Sequence, residues 1–444
     1  MTKRAEKTHR VAAGIFAAVI LISALLTAAG MPSHALEAPE LDYSKSACVY
    51  NPEYDAYVYE SGADDEVYPA GTVKLMTALL ALEHFDDYGE KITVTEEMLD
   101  GVEGSATGFD AGEEVPVEDL LAALIISNSN DAAMILAYAV SGNSGAFLQL
   151  MNERAEELGM DKTRYLNVTG LHNSRMKTSA RDVVKVTAEV IKYREFTALA
   201  STETYTIAAT NVNPERTLHN RNFFISTYYN LYYRLDSVSG VCCSYTGETG
   251  YCLSITAADK NGLTYIFAVM NSDESSAGDN DVRGCDDAVK LMNWTFRNHS
   301  SVAVIDTGSM ICELPVRLSS GTDHVIALPA KRITALLPDD TDLSQAVRTE
   351  YTLTDETLTA PVSAGQIIGE LTVYLNGREL GKVDLVAKNN VDRSLWLYVA
   401  DRVGQFFKRP AVIAIIVAFV AISVILGVRS AARRNRRAVR YKDK

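Results

Sequence analysis

The run Tyr68-Pro69-Ala70-Gly71-Thr72-Val73-Lys74-Leu75-Met76-Thr77-Ala78-Leu79-Leu80-Ala81-Leu82-Glu83 places a lysine in the first turn of a strongly apolar helix. A hydroxyl three residues before a lysine at a helix start shares its face, so the amine can take the proton as the oxygen attacks. Gly71 stands at that position and has no atom with which to attack. Thr72 carries a hydroxyl, but it is rotated about 200° from Lys74 around a helix of ~3.6 residues per turn. Lys74 then reads as a remnant base, with a buried lysine paired to some acceptor as the other reading.

Two further segments hold side chains suited to the same chemistry. The first is Ser127-Asn128-Ser129-Asn130-Asp131-Ala132-Ala133, a polar break between two apolar runs. The second is Cys242-Cys243-Ser244, flanked by Gly240 and by Tyr245-Thr246-Gly247-Glu248. Cys242 is a thiol that would need a positive group or a histidine base to become reactive, and Lys74 is the one candidate. Cys242 and Cys243 therefore read as ordinary strand residues or as partners for other cysteines. The chain holds one Ser-x-x-Lys, from Ser174 to Lys177, in a polar stretch with no apolar helix behind it, and chance accounts for it. The run Tyr228, Tyr229, Tyr232 and Tyr233 reads as aromatic core filling in preference to a surface that stacks on sugar.

The elements that must position these residues follow from periodicity. Ser46 to Tyr59 reads as a hairpin around a polar turn. Thr72 to His84 is apolar nearly all round, the mark of a helix buried on most faces. Val117–Ile126, Ala132–Val140, Gly145–Leu158 and Ser179–Tyr193 are further helices, and Val241–Thr256 and Leu263–Met270 have strand composition. Beyond about Ser300 short alternating runs take over, and Asn376-Gly377 between two of them predicts a type I′ turn.

Composition bounds the rest. The 444 residues are 47% hydrophobic and 22% charged, a folded chain with room for two or three domains. Lys3, Arg4, Lys7 and Arg10, the apolar stretch Val11–Ala29 and Ser33-His34-Ala35 have the anatomy of an export signal. Ala411–Val428 carries no charge and, at ~1.5 Å per residue, nearly spans a ~30 Å hydrocarbon layer. The tail beyond it sets eight basic residues against Asp443, which places the tail in the cytoplasm and the globular part outside. The first 35 residues carry +3 and residues 408–444 carry +9, so residues 36–407 hold −27 within the overall −15. That excess argues against nucleic acid and against an anionic membrane surface as partners. The six cysteines fix no disulfide pairing, and without C-x-x-C or H-E-x-x-H a zinc site is not expected. No cofactor is expected.

The three segments resemble those of the serine-type D-Ala-D-Ala carboxypeptidases, the low-molecular-mass penicillin-binding proteins. Ser46–Glu83 is similar to their opening with its Ser-x-x-Lys, Ser127–Ala133 to their Ser-x-Asn-Asp-Ala-Ala, and Val238–Leu253 to their Lys-Thr-Gly strand. Residues 300–390 resemble their second domain. The resemblance implies an α/β penicillin-binding (β-lactamase/transpeptidase-like) domain, a small β-sandwich domain and a C-terminal transmembrane helix. It implies the boundaries 1–35 (signal), 36–299 (penicillin-binding domain), 300–390 (β-rich domain), 391–409 (amphipathic linker), 410–428 (transmembrane helix) and 429–444 (basic tail).

The resemblance also assigns roles. Gly71 takes the nucleophile's place and Lys74 the base's. Asn128 replaces the proton-relaying serine, which a one-residue slip onto Ser127 or Ser129 would restore, and Asn130 is the intact asparagine that holds the substrate or the lysine. Cys242, Cys243 and Ser244 replace Lys-Thr-Gly, whose lysine holds the peptide's terminal carboxylate. Loss of a nucleophile costs on the order of 10⁶ in turnover, and loss of one charged contact about 1.5–3 kcal/mol of binding. The expectation is a catalytically inactive homologue that binds peptidoglycan stem peptides, through backbone N–H donors near Gly71 and Ser244, or that scaffolds wall-synthesis proteins. The alternative is an active carboxypeptidase with a rewired site.

Overall fold

Residues 47–49 and 265–270 are apolar runs without alternation, as strands covered on both faces require. They lie in a five-stranded antiparallel sheet. In this computed structural model, which describes residues 37–229, 232–273 and 282–440, β1 (Ser44–Asn51) and β2 (Ala56–Ser61) form the predicted hairpin. The predicted export signal lies outside the described residues. With β3 (Val238–Thr246), β4 (Gly250–Ala258) and β5 (Thr264–Ser272) the strand order is β2-β1-β5-β4-β3.

Alternate residues of β5 face two separate cores. Ile266, Ala268 and Met270 join the helical layer, while Tyr265, Phe267 and Val269 pack on the opposite side. The helical layer is built around α1 (Val73–His84), whose residues from Val73 to Leu82 are all buried. Around it lie α2 (Val117–Ile126), α3 (Asn130–Ser141), α4 (Ser144–Glu157) and α5 (Ala180–Val190). The other face is covered by α6 (Arg283–Asn298), which buries Cys285, Ala288, Leu291 and Met292. Asp287 of α6, fully buried, accepts hydrogen bonds from the backbone N–H groups of Asp42, Tyr43 and Ser44 and so fixes the start of β1.

The chain divides into two compact units, one reaching Ser300 and including Leu336–Asp340, the other formed by Ser301–Ala335 with the residues from Thr341 onward. The second unit is β-rich. Its main sheet contains β6 (Cys312–Arg317), β7 (His324–Pro329), β8 (Val347–Leu353), β9 (Leu358–Thr359), β10 (Ile367–Leu375) and β11 (Arg378–Ala387), in the order β8-β10-β11-β7-β6-β9. Asn376 and Gly377 join β10 to β11 with φ of 49° and 82°, both positive as a type I′ turn demands.

After the sheet come α7 (Leu395–Phe407) and α8 (Pro410–Arg440). Helix α8 does not stop at Val428, and its Pro410–Ala431 portion is the one helix among the described residues long and apolar enough to cross a membrane. Cys48, Cys242, Cys243, Cys252 and Cys312 are free thiols.

Candidate functional site

The start of α1 meets the middle of β3. Gly71 lies in a single 3₁₀ turn, Ala70–Thr72, and its N–H donates to the Ser244 hydroxyl at 2.8 Å. A Cβ added to Gly71 would overlap the Ser244 hydroxyl oxygen and lie 2.8 Å from Ser244 Cβ and 2.9 Å from Asn128 Nδ2. Space, not backbone conformation, therefore demands glycine. The hydroxyl missing from the helix start is supplied across the gap by the strand, and only one of the two positions can carry a side chain. This corrects the expectation of open N–H donors at this end of the cleft, because the Gly71 N–H already has its acceptor. Ala70 and Asn128, on the two sides of this contact, are non-glycine residues in the left-handed region, with φ of 46° and 55°. Such conformations persist only where the surroundings over-determine them.

Lys74 is 6% exposed and its Nζ donates to the carbonyl oxygen of Thr169. The geometry is that of a buried lysine with an acceptor. Burial pulls its pKa down to about 8, opposed by the neighbouring Cys242 and Asp131. The folded value lies below the ordinary 10.5, so between the two the unfolded chain binds more protons and stability rises with pH. Relative to Lys74→Met, the wild-type protein should gain up to about 3 kcal/mol of unfolding free energy as pH climbs from below 8 through 10.5. Urea unfolding of both proteins across that range measures it, and a difference independent of pH contradicts the burial of a charged amine.

In the polar break between α2 and α3, Asn128 turns its amide toward Gly71, and its Oδ1 is buried with no hydrogen-bond partner. Asn130 points elsewhere: its Nδ2 donates to the carbonyl oxygen of Glu103. The role expected of Asn130, holding the lysine, finds no such hydrogen bond among the described residues. The loop 103–109 wraps over the start of α3 and takes up this amide instead. Ser129 is fully buried and donates its hydroxyl to Asp131, so a slip of register onto Ser129 does not deliver a free hydroxyl.

On β3 successive side chains face opposite sides of the sheet. Cys242 belongs to the helical layer and its thiol points at the Gly71 carbonyl, 3.7 Å away. Cys243 packs into the other core. Burial pushes the Cys242 thiol up to about 12, with Cys243 adding to the shift and Lys74 opposing it, so it is not a thiolate near neutrality. Lys74, Asn128 and Cys242 line a pocket of about 20 Å³, room for roughly one water, which is completed by Asn220, Arg221 and Asn222.

Sequence reasoning missed Thr169 and the Asn220–Asn222 run. A backbone acceptor leaves no trace in composition. The run did carry a signal, two asparagines around an arginine between apolar Leu218 and Phe223. The tyrosine run also departs from expectation: Tyr233 is buried, but Tyr228, Tyr229 and Tyr232 are 65%, 38% and 81% exposed. They follow the loop that leaves the site and have no core to enter.

Comparison with known proteins agrees with this architecture. The family model for D-alanyl-D-alanine carboxypeptidase, peptidase S11, matches residues 33–274, and that for the penicillin-binding protein 5 C-terminal domain matches residues 301–393. The chain is 26% identical over 357 residues to the D-alanyl-D-alanine carboxypeptidase DacF of Bacillus subtilis, covering 79% of this chain and 86% of the relative. It is 25% identical over 398 residues to DacC of Escherichia coli, also a D-alanyl-D-alanine carboxypeptidase, covering 84% and 91%. Its fold is similar to that of penicillin-binding protein 6B from Escherichia coli, with a TM-score of 0.59 at 22% identity over 80% of this chain and 98% of that one. With the first model spanning more than half of its length and the second the β-rich unit, the chain belongs to the peptidase S11 D-alanyl-D-alanine carboxypeptidase family, the low-molecular-mass penicillin-binding proteins.

Proposed function

We propose that this chain is a catalytically inactive member of its family that binds peptidoglycan stem peptides, or holds wall-synthesis proteins, at the outer face of the cell membrane. The observation that carries the reading is the contact between Gly71 and Ser244. At the place from which a nucleophile would attack there is a backbone N–H, and the hydroxyl that fills the space is spent as its acceptor. Asn128 in place of a proton-relaying serine and Cys242 in place of a cationic lysine support the same reading. Three separated changes are harder to compensate than one.

In this reading the peptide's terminal carboxylate has no lysine at residue 242 to meet, so binding is weak. The apolar Pro410–Ala431 anchors the chain once across the bilayer, with the basic tail inside and both folded units outside. No cofactor takes part, and the acidic exterior disfavours nucleic acid.

An active, rewired carboxypeptidase would need a substitute hydroxyl. Thr72, at the helix start, is buried and donates its hydroxyl to the Pro69 carbonyl oxygen, Ser244 is 5% exposed and turned to the Gly71 N–H, and no serine hydrogen-bonds to the Lys74 amine among the described residues. The deciding experiment incubates the full chain, in detergent micelles, with a fluorescent penicillin beside an active relative. We expect the relative to be labelled and this chain to stay dark, since a stable acyl adduct needs a nucleophile. Covalent labelling of this chain refutes the reading, and Ser244→Ala then tells whether that hydroxyl is responsible.

A further inference from the structure

Arg221 stands in the wall of the pocket beside Lys74 and Asn128, and its guanidinium lies over the ring of Tyr229, 4.9 Å from the centroid. Tyr229 meets Tyr228 nearly at a right angle, 82° with centroids 5.0 Å apart. Tyr228 in turn lies flat on His219, with 3.9 Å between centroids and 12° between planes. One face of the Tyr228 ring is therefore covered by imidazole. As the side chain remains 65% exposed, its other face is open to solvent.

The result is a corner: a floor ring stacked from beneath, a wall ring perpendicular to it, and a cation on that wall which also borders the pocket. Exposed aromatic rings contribute little to folding, because the apolar surface they leave in water gains nothing from burial. Three contacts nevertheless hold these two rings in fixed orientation, so a ligand that lands on them costs little side-chain entropy.

We propose that this corner is a carbohydrate subsite, in which a pyranose of an N-acetylated glycan stacks on the open face of Tyr228. A pyranose presents a face of C–H groups that packs on an aromatic face, and its rim of hydroxyl and acetamide oxygens calls for donors. The exposed phenol groups and the Arg221 guanidinium are such donors. The size fits one sugar ring, whereas a stable protein partner requires roughly 1,000 Å² of buried surface. Charge points the same way, since a chain of net charge −15 repels polyanions but not a neutral glycan. The inference rests on the peptidoglycan reading above and extends it from the stem peptide to the sugar that bears it.

The test titrates the full-length chain, in a detergent without a sugar headgroup, with two probes by calorimetry. One is a tetramer of β-1,4-linked N-acetylglucosamine, the other a sugar-free pentapeptide stem ending in D-Ala-D-Ala. The tetramer should bind, about tenfold more weakly to Tyr228→Ala and about threefold more weakly to His219→Ala, while Tyr228→Phe keeps most of the affinity. The pentapeptide should bind wild type and Tyr228→Ala alike, which also reports that the exposed substitution leaves the fold intact. A tetramer that does not bind, or that binds Tyr228→Ala as well as wild type, overturns the subsite. Tetramer binding that depends on Tyr228 while the pentapeptide fails to bind upholds the subsite and refutes only the stem-peptide reading.

Discussion

Gly71→Ser is expected to destabilise the protein by about 2 kcal/mol, the ordinary cost of forcing a side chain into filled space. The added Cβ would overlap the Ser244 hydroxyl and crowd Asn128 Nδ2, and the hydrogen bond from the Gly71 N–H would be displaced. Ser244→Gly alone should cost about 1 kcal/mol, through a lost hydrogen bond and a small void. If the two positions share one space, the double substitution Gly71→Ser with Ser244→Gly recovers most of both losses, a coupling of about 1–3 kcal/mol. Urea unfolding of the four proteins closes this cycle, and strictly additive losses would show that the strand and the helix do not compete for the space. The double variant should still resist the fluorescent penicillin. Label is expected only once Asn128→Ser, Cys242→Lys and Cys243→Thr are added, so that a proton relay and a carboxylate-binding cation accompany the hydroxyl.

The second large effect lies one turn behind the pocket. Asp131 is 2% exposed and accepts hydrogen bonds from the backbone N–H groups of Thr107, Gly108, Phe109 and Ala132 and from the Ser129 hydroxyl. One carboxylate thus ties the loop 103–109 to the first turn of α3, where the helix dipole also favours negative charge. Asp131→Ala strands several of these donors at once. With about 1–3 kcal/mol for each buried group left unsatisfied, a loss of about 4 kcal/mol is expected, partly relieved by water. Asp131→Asn, which keeps the shape but turns one acceptor into a donor, should lose nearly as much. Hydrogen exchange at residues 107–109 should quicken in both variants ahead of the sheet. A loss below about 1 kcal/mol would mean that the loop holds by other contacts.

Much of the fold was legible because it is written in local patterns. Val117–Ile126 has the same ends in sequence and structure, since Pro116 opens it and the left-handed Asn128 closes it. The Asn376-Gly377 turn is equally local. By contrast, the reading left residues 271–298 without an element, although α6 covers a whole face of the sheet. Its apolar residues are spaced for a helix but diluted by Asp286, Asp287, Lys290 and Arg297, so average composition hid the period.

What the sequence by itself determined was the family, the apolar helix that begins at the site, and the absence of a side chain at Gly71, for these depend on residue identities and on spacings of a few residues. Tertiary structure alone decided that Ser244, 173 residues away, fills the space, that the Lys74 amine finds a carbonyl 95 residues on, and that the tyrosines of the following loop face water. The physical reason is that a hydrogen-bonding partner far along the chain is chosen by how strands and helices pack. A shift of one residue in β3 would turn the Ser244 hydroxyl to the opposite side of the sheet and leave the Gly71 N–H without its acceptor.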